Sequence, residues 1–199
     1  MTMFPDVQER AQAELDSIVG NEKLTTFADR PSLPYVNAVL KEDMRWQAIT
    51  PIGVGHRSVA DVYAGLLIPG DSLLIPNIWA MCPDEADYPG PERFYPERWL
   101  RDGILNPDVR DPLNFAFGFG RRICPGLHFA DAGLFIIFAS VLHVVRIGPP
   151  VNDDGACVVP LKLDVEPRSL TARLQPFSCL ITTSVGLSGE YGSSCFCRQ

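Results

Sequence analysis

The chain has 199 residues, 46% hydrophobic and 21% charged, with a net charge of −7 and a pI near 4.9. That composition is globular and long enough to bury a sizeable core, and it is too acidic for a nucleic-acid partner or a general basic face toward anionic membranes. Six cysteines (Cys82, Cys124, Cys157, Cys179, Cys195, Cys197) are irregularly spaced and no secretory leader precedes them, so they read as mostly free thiols.

Pro5 to Val19 predicts an amphipathic helix, with Pro5 in its first turn, a stripe of Val7, Ala11, Leu15 and Ile18, and Gly20 as C-cap. A polar loop containing Asp29-Arg30-Pro31 leads to a second helix, Pro34 to Gln47, whose apolar face is Val36, Val39, Leu40 and Met44. Ile49 to Ser58 holds Pro51, Gly53 and Gly55 and is expected to be extended and irregular. Val62 to Ile68 and Leu73 to Ile75 read as a hairpin around Pro69-Gly70-Asp71.

Cys82 to Pro112 has no periodicity, which is unusual inside a compact domain. Its aromatics Tyr88, Phe94, Tyr95 and Trp99 favour an ordered, packed loop; Asp84, Glu85 and Asp87 read as a solvated acidic stretch. Pro125 to Val145 predicts a long buried helix, with His128 and His143 as core or surface residues. The longest apolar run, Leu134 to Val145, is interrupted by Ser140 and His143 and is short of a bilayer span, so no transmembrane segment is read. Val158 to Leu163 and Leu170 to Ile181 predict short strands. Residues 182–199 are rich in Gly, Ser and Thr and are expected to be a disordered tail, in which Cys195-x-Cys197 lacks metal-ligand spacing.

The stretch FGFGRRICPGLHF, Phe117 to Phe129, carries the chemistry. A thiolate ligand to a large planar cofactor needs a helix N-terminus beside it, and Cys124 stands before the predicted helix with Pro125 at its start. A loop lying flat against such a cofactor needs residues without Cβ: Gly118, Gly120 and Gly126. Arg122 offers a cation for a carboxylate, and Phe117 an aromatic wall for the sulfur. Phe117-x-x-Gly120-x-Arg122-x-Cys124-x-Gly126 resembles the haem-binding signature of the cytochrome P450 monooxygenases, fungal type. Chance coincidence of these positions is expected about once in tens of thousands of such chains. Glu42-Asp43-Met44-Arg45 resembles that family's Glu-x-x-Arg, and Phe94-Tyr95-Pro96-Glu97-Arg98-Trp99 resembles its aromatic-x-Pro-Glu-Arg-aromatic element better than Pro91-Glu92-Arg93-Phe94 does.

The resemblance implies a mainly α fold with small antiparallel β-sheets, the C-terminal haem-binding part of the cytochrome P450 fold, over residues 1–181. It implies haem b with Cys124 as axial thiolate and metal ligand, lined by Phe117, Gly118, Gly120, Pro125 and Gly126. Arg122 and His56 (in preference to Arg57) are the implied propionate donors, with Arg121 free to dock a reductase. Glu42, Arg45 and Arg98 form the implied interior charge network. Ile49 to Gly55 matches the family's loop over the haem, and Ser169 to Leu174 a substrate-contacting turn. The implied activity inserts one atom of O2 into a small apolar organic substrate with electrons from an NADPH-dependent reductase, at the cytosolic face of the endoplasmic reticulum membrane for a full-length member. Nothing matches the family's central oxygen-activating helix, its lid helices or its membrane anchor, so a truncated chain is expected. A non-catalytic remnant and a peroxide-rearranging haem-thiolate enzyme are the alternatives. Pro69-Gly70-Asp71 and Met81-Cys82-Pro83 depart from the family's usual residues.

Overall fold

A computed structural model describes residues 1–150, 152, 165–168, 171–174, 177–183 and 195–196. Helix α1 (Pro5–Ile18) opens on its proline and is followed by Gly20 at φ 74°. Its buried face is Gln8, Ala11 and Leu15, continued by Val19, while Ile18 is exposed, contrary to the predicted stripe. Gln8 explains the rotation. Its side-chain amide donates to the Ile147 carbonyl (3.1 Å) and accepts from the Ile147 N–H (2.9 Å), so a polar residue is turned inward to complete a strand. One turn on, Gln12 donates to the carbonyls of Leu142 and Val145 (3.0 and 3.1 Å), at a helix end that leaves such groups open.

That end belongs to α5 (Leu127–Val144), which runs directly into strand β7 (Val145–Gly148). Helix α2 (Pro34–Trp46) begins where the Glu14 carboxylate accepts the N–H groups of Tyr35 and Val36, both at 2.9 Å. Burial raises the Glu14 pKa, and those two donors oppose the shift. Helices α1, α2 and α5 enclose one core that includes Leu15, Val36, Val39, Phe135 and Leu142. A second core gathers Ala38 of α2 with Ile78, Tyr88, Trp99 and Phe115. α2 is therefore the wall shared by both. A 3-10 turn at Phe27–Ser32, absent from the sequence reading, positions Arg30 for a bidentate pair with Asp131 of α5 (2.8 Å each). His143 is a core residue, its Nδ1 3.1 Å from the Thr25 hydroxyl and its Nε2 2.9 Å from the Gly20 carbonyl.

Several expectations change. α5 starts at Leu127, with Gly126 as N-cap, and only one face of it packs: Phe129 is 86% exposed and Ile137 59%. Its 18 residues are by length and composition apolar enough to cross a membrane, which the shorter run Leu134 to Val145 did not suggest. The single predicted hairpin is two nested ladders. β1 (His56–Arg57) pairs with β4 (Leu73–Leu74), and β2 (Asp61–Tyr63) with β3 (Leu66–Ile68). The tight turn falls at Ala64-Gly65, both at positive φ (49° and 79°), so Pro69-Gly70-Asp71 becomes the re-entry between ladders. Positive φ at both central residues is the geometry that matches strand twist, and alanine disguises it.

Residues 82–112 are ordered as expected. A short helix α3 (Ile78–Met81) precedes them, and they contain a 3-10 turn (Pro96–Trp99) and a hairpin of β5 (Leu100–Arg101) with β6 (Ile104–Leu105). Tyr88 donates to the Arg110 carbonyl at 2.6 Å, and Asp87 of the acidic stretch pairs with Arg110 at 2.6 Å. Helix α4 (Leu113–Ala116) follows. β8 (Val165–Arg168) pairs with β9 (Thr171–Leu174), and β10 (Leu180–Thr183) lies between β7 and β11 (Cys195–Phe196). Thr182 and Thr183 thus extend a strand. Val158 to Leu163, Ser169, Leu170 and most of 182–199 lie outside the described residues. Cys82 and Cys124 are free thiols.

Gln8→Ala leaves the N–H and carbonyl of half-buried Ile147 without these partners and should lower unfolding free energy by about 1–3 kcal/mol. Ile18→Ala should stay within about 0.5 kcal/mol. Urea denaturation of both variants checks the helix orientation.

Candidate functional site

The Cys124 loop hangs from α4, whose Phe115 is buried in the second core. Phe117 follows half-buried, and the chain reverses at Gly118, φ 86°. A Cβ there would meet the Arg122 carbonyl at 3.7 Å, so the positive φ, more than lack of space, calls for glycine. Gly120 (φ 58°) opens the 3-10 turn Gly120–Arg122, and the Cys124 N–H donates to the Phe117 carbonyl at 2.8 Å, closing the loop. The Ala130 N–H donates to the Gly126 carbonyl at 2.8 Å, beginning α5 directly after the cysteine.

Cys124 is exposed and free. A Cβ on Gly126 would lie 3.6 Å from its Sγ, so glycine leaves that flank of the sulfur open. Pro125, Arg121 and Arg122 are exposed, and neither arginine has an ion-pair partner among the described residues. The loop is thus an accessible soft donor beside uncommitted cations. In β1, Arg57 is already bonded to Asp71 (Nε–Oδ1 2.7 Å), whereas His56 is half-buried with no polar partner among the described residues. No hydrogen bond or ion pair among the described residues joins His56 or Glu42 to the Cys124 loop.

Glu42 is fully buried. Arg45 approaches it side-on, Nε to Oε2 at 2.9 Å and Nη2 to Oε1 at 2.8 Å. Arg98 Nε lies 3.2 Å from Oε2. Sequence reasoning missed two further donors, the Tyr95 N–H (2.8 Å) and the Trp99 indole N–H (3.0 Å). The final aromatic of Pro96-Glu97-Arg98-Trp99 was the available signal, since a buried indole seeks an acceptor. Arg45 also donates to the Cys82 carbonyl (3.0 Å), and Arg98 to the carbonyls of Pro89 (2.9 Å), Gly90 and Arg93 (3.2 Å each). The Arg93 guanidinium instead lies over the Tyr95 ring, 4.6 Å from its centroid. Trp99 and Phe115 occupy one core, so the network and the Cys124 loop share a mechanical base.

A cavity of about 310 Å³ opens beside Arg45, lined by Trp46, Trp79, Cys82, Pro91 and Glu92, and no residue of the Cys124 loop reaches it. Burial pushes the Cys82 thiol up to about 11, against the opposing charge of Arg45. Among the described residues no cluster of His, Cys, Asp and Glu could hold a bare metal ion. A single thiolate suits a metal carried by its own macrocycle instead.

The cytochrome P450 family profile matches residues 1–155. The chain belongs to the cytochrome P450 family. Cytochrome P450 monooxygenase COX2 of Coprinopsis cinerea is 42% identical over 96% of this chain and 37% of its own length. Cytochrome P450 monooxygenase 253 of Postia placenta is 42% identical over 93% of this chain and 36% of its own, and Cytochrome P450 monooxygenase ple1 of Rhodocybe pseudopiperita 48% over 81% and 31%. The chain therefore spans about a third of the length of these curated relatives. The helix-rich fold with small antiparallel sheets is that of a cytochrome P450 portion. The family is one of haem-iron oxidoreductases with a thiolate ligand.

Glu42→Gln leaves Arg45 and Arg98 buried without their counter-charge, and should cost about 3–5 kcal/mol of stability. Arg93→Ala, losing one exposed cation–π contact, should cost about 0.5–1 kcal/mol. Denaturation midpoints distinguish the two arginines of the repeated Pro-Glu-Arg. In the protein without cofactor, iodoacetamide at about pH 8, near the ordinary thiol range, should label Cys124 rapidly and leave Cys82 unmodified, read by peptide mass mapping.

Proposed function

We propose that the chain is the haem-binding portion of a monooxygenase, with Cys124 as the axial thiolate of haem b. The exposed, free Cys124 in its glycine loop, beside unpaired cations, is the observation that carries this reading. The residues present fit the group. Gly126 leaves the flank of Sγ open, and Gly118 and Gly120 keep the loop surface low. Phe117, whose carbonyl accepts the Cys124 N–H, would supply the aromatic wall beside the sulfur. Arg122 and His56 would be the propionate donors, His56 in preference to Arg57, which Asp71 already holds. Arg121 remains on the surface for an acidic face of an NADPH-dependent reductase, an attraction that salt weakens. When bound, the haem supplies reductive activation of O2 and oxygen insertion into a small apolar organic substrate.

The role of Glu42, Arg45 and Arg98 in this reading is positional. They hold residues 89–98 against α2, fixing the core from which α4 and the Cys124 loop project. The remainder of the family fold supplies the other wall of the pocket, so residues 1–181 alone are not a working oxygenase. The bare Phe129 and Ile137 of α5 support this, because apolar side chains facing water suit contact with further protein. Such a longer protein would act at the cytosolic face of the endoplasmic reticulum membrane.

In a haem-loaded complete protein, Cys124→Ser should abolish the thiolate-type carbon monoxide difference spectrum; an unchanged spectrum removes the assignment. Arg122→Ala should lower haem retention more than Arg121→Ala, and the opposite order would exchange their roles. Reductase-dependent hydroxylation by the 199-residue chain would overturn the view that it is incomplete.

A further inference from the structure

The Cys124 loop is anchored on either side by an aromatic ring seated in a core, Phe115 before it and Phe135 after it. Between the two, no residue from Ala116 to Leu134 is buried. The start of α5 has no side-chain cap, and its first turn rests on backbone bonds of its own, Leu127 N–H to the Cys124 carbonyl (3.2 Å) and Ala130 N–H to the Gly126 carbonyl (2.8 Å). A stretch with so few buried contacts opens readily unless something else holds it. Within residues 117–134, Asp131 alone makes a hydrogen bond or ion pair to a residue far along the chain, among the described residues, and its partner is Arg30.

Arg30 is itself held in place. Its Nε donates to Oδ1 of buried Asn37 on α2 (2.9 Å), and Nδ2 of Asn37 donates back to the carbonyls of Arg30 and Leu33 (3.0 and 2.7 Å). Nη1 and Nη2 each donate to one Asp131 oxygen at 2.8 Å, and the guanidinium lies over the Phe135 ring, 4.8 Å from its centroid. The turn that carries Arg30 is closed by Asp29, whose carboxylate accepts both the N–H and the hydroxyl of Thr26 (2.9 and 2.7 Å). The guanidinium therefore joins α2 to the second turn of α5 through a fork whose direction is set at both ends. Lysine would keep the charge but not the geometry, because one ammonium cannot serve Asn37 and both carboxylate oxygens along fixed lines.

We propose that Arg30 is the positioning residue of the Cys124 ligand: by holding Asp131 it fixes the first turns of α5, and with them the place of the sulfur. Only Pro125 and Gly126 separate Cys124 from the start of α5, so a shift of that helix carries the sulfur with it. A metal ligand is oriented by the groups behind it, and losing one of them weakens binding by about 10–100-fold. The inference deepens the haem reading above and rests on it.

Arg30→Lys tests this with and without cofactor. In the cofactor-free 199-residue chain, it should speed amide hydrogen exchange at residues 130–134 about fivefold or more, while residues 140–144 at the other end of α5 keep the parent rate. In the haem-loaded complete protein, it should release haem about tenfold faster and lose part of the thiolate-type carbon monoxide difference spectrum. Gln8→Ala, which weakens the fold beyond the far end of α5, should change neither haem release nor the spectrum, and so controls for lowered stability. Parent-like exchange at residues 130–134 overturns the proposal. So do parent-like haem release and spectrum in Arg30→Lys, or an equal effect from Gln8→Ala; with Cys124→Ser still abolishing the thiolate-type spectrum, the haem reading then stands. An unchanged spectrum in Cys124→Ser removes the haem reading, and this proposal with it.

Discussion

A carboxylate sealed from water must be matched by donors on every side or give up its charge, and Glu42 is so matched. Two guanidinium groups, an indole N–H and a backbone N–H converge on its two oxygens. Of these donors, local structure gathers only Arg45, three residues on in the same helix. They come from α2 and from residues 95–99, with sequence separations of 53 and 57 for the Tyr95 and Trp99 bonds. The carboxylate therefore acts as a template on which an aperiodic stretch takes one conformation. Once Arg98 is fixed, its outer nitrogens reach three carbonyls of residues 89–93 and order them as well.

This explains which parts of the fold were legible in the sequence. The helices were, because α1, α2 and α5 follow the 3.6-residue spacing of their apolar side chains and two of them open on proline. The assignment of Arg98 over Arg93 came from a motif rather than from periodicity, and the structure places Arg98, not Arg93, beside Glu42. What spacing could not convey was a polar group buried to serve a distant one. Gln8 faces the interior because Ile147, far along the chain, needs both a donor and an acceptor. No pattern within α1 contains that requirement. The Ala64-Gly65 turn escaped notice for a local reason: alanine at φ 49° gives no compositional sign of the conformation it adopts.

The Cys124 loop stands apart from the rest in its chemistry. Arg30 is committed to Asp131, Arg45 and Arg98 to Glu42, and Arg110 to Asp87. Arg121 and Arg122 are not, among the described residues. The turns of the loop were readable in the sequence, because Gly118 and Gly120 take positive φ before the cysteine at the helix start. How His56 relates to that loop was not readable, since it depends on how separate elements assemble.

The pairing of Gln8 with Ile147 joins residues 139 apart. During synthesis α1 leaves the ribosome long before the strand it completes. At translation rates of roughly 5–20 residues per second, that interval lasts about 7–28 s. Throughout it the apolar side of α1, Ala11 and Leu15, has neither α5 nor β7 to cover it. Of these three elements α1 is made first, yet α5 and β7 must follow before that side of it is covered. Its exposure during that delay gives chaperones a natural place to act, and makes the order of assembly, not only its end point, a property written into the two glutamines of α1.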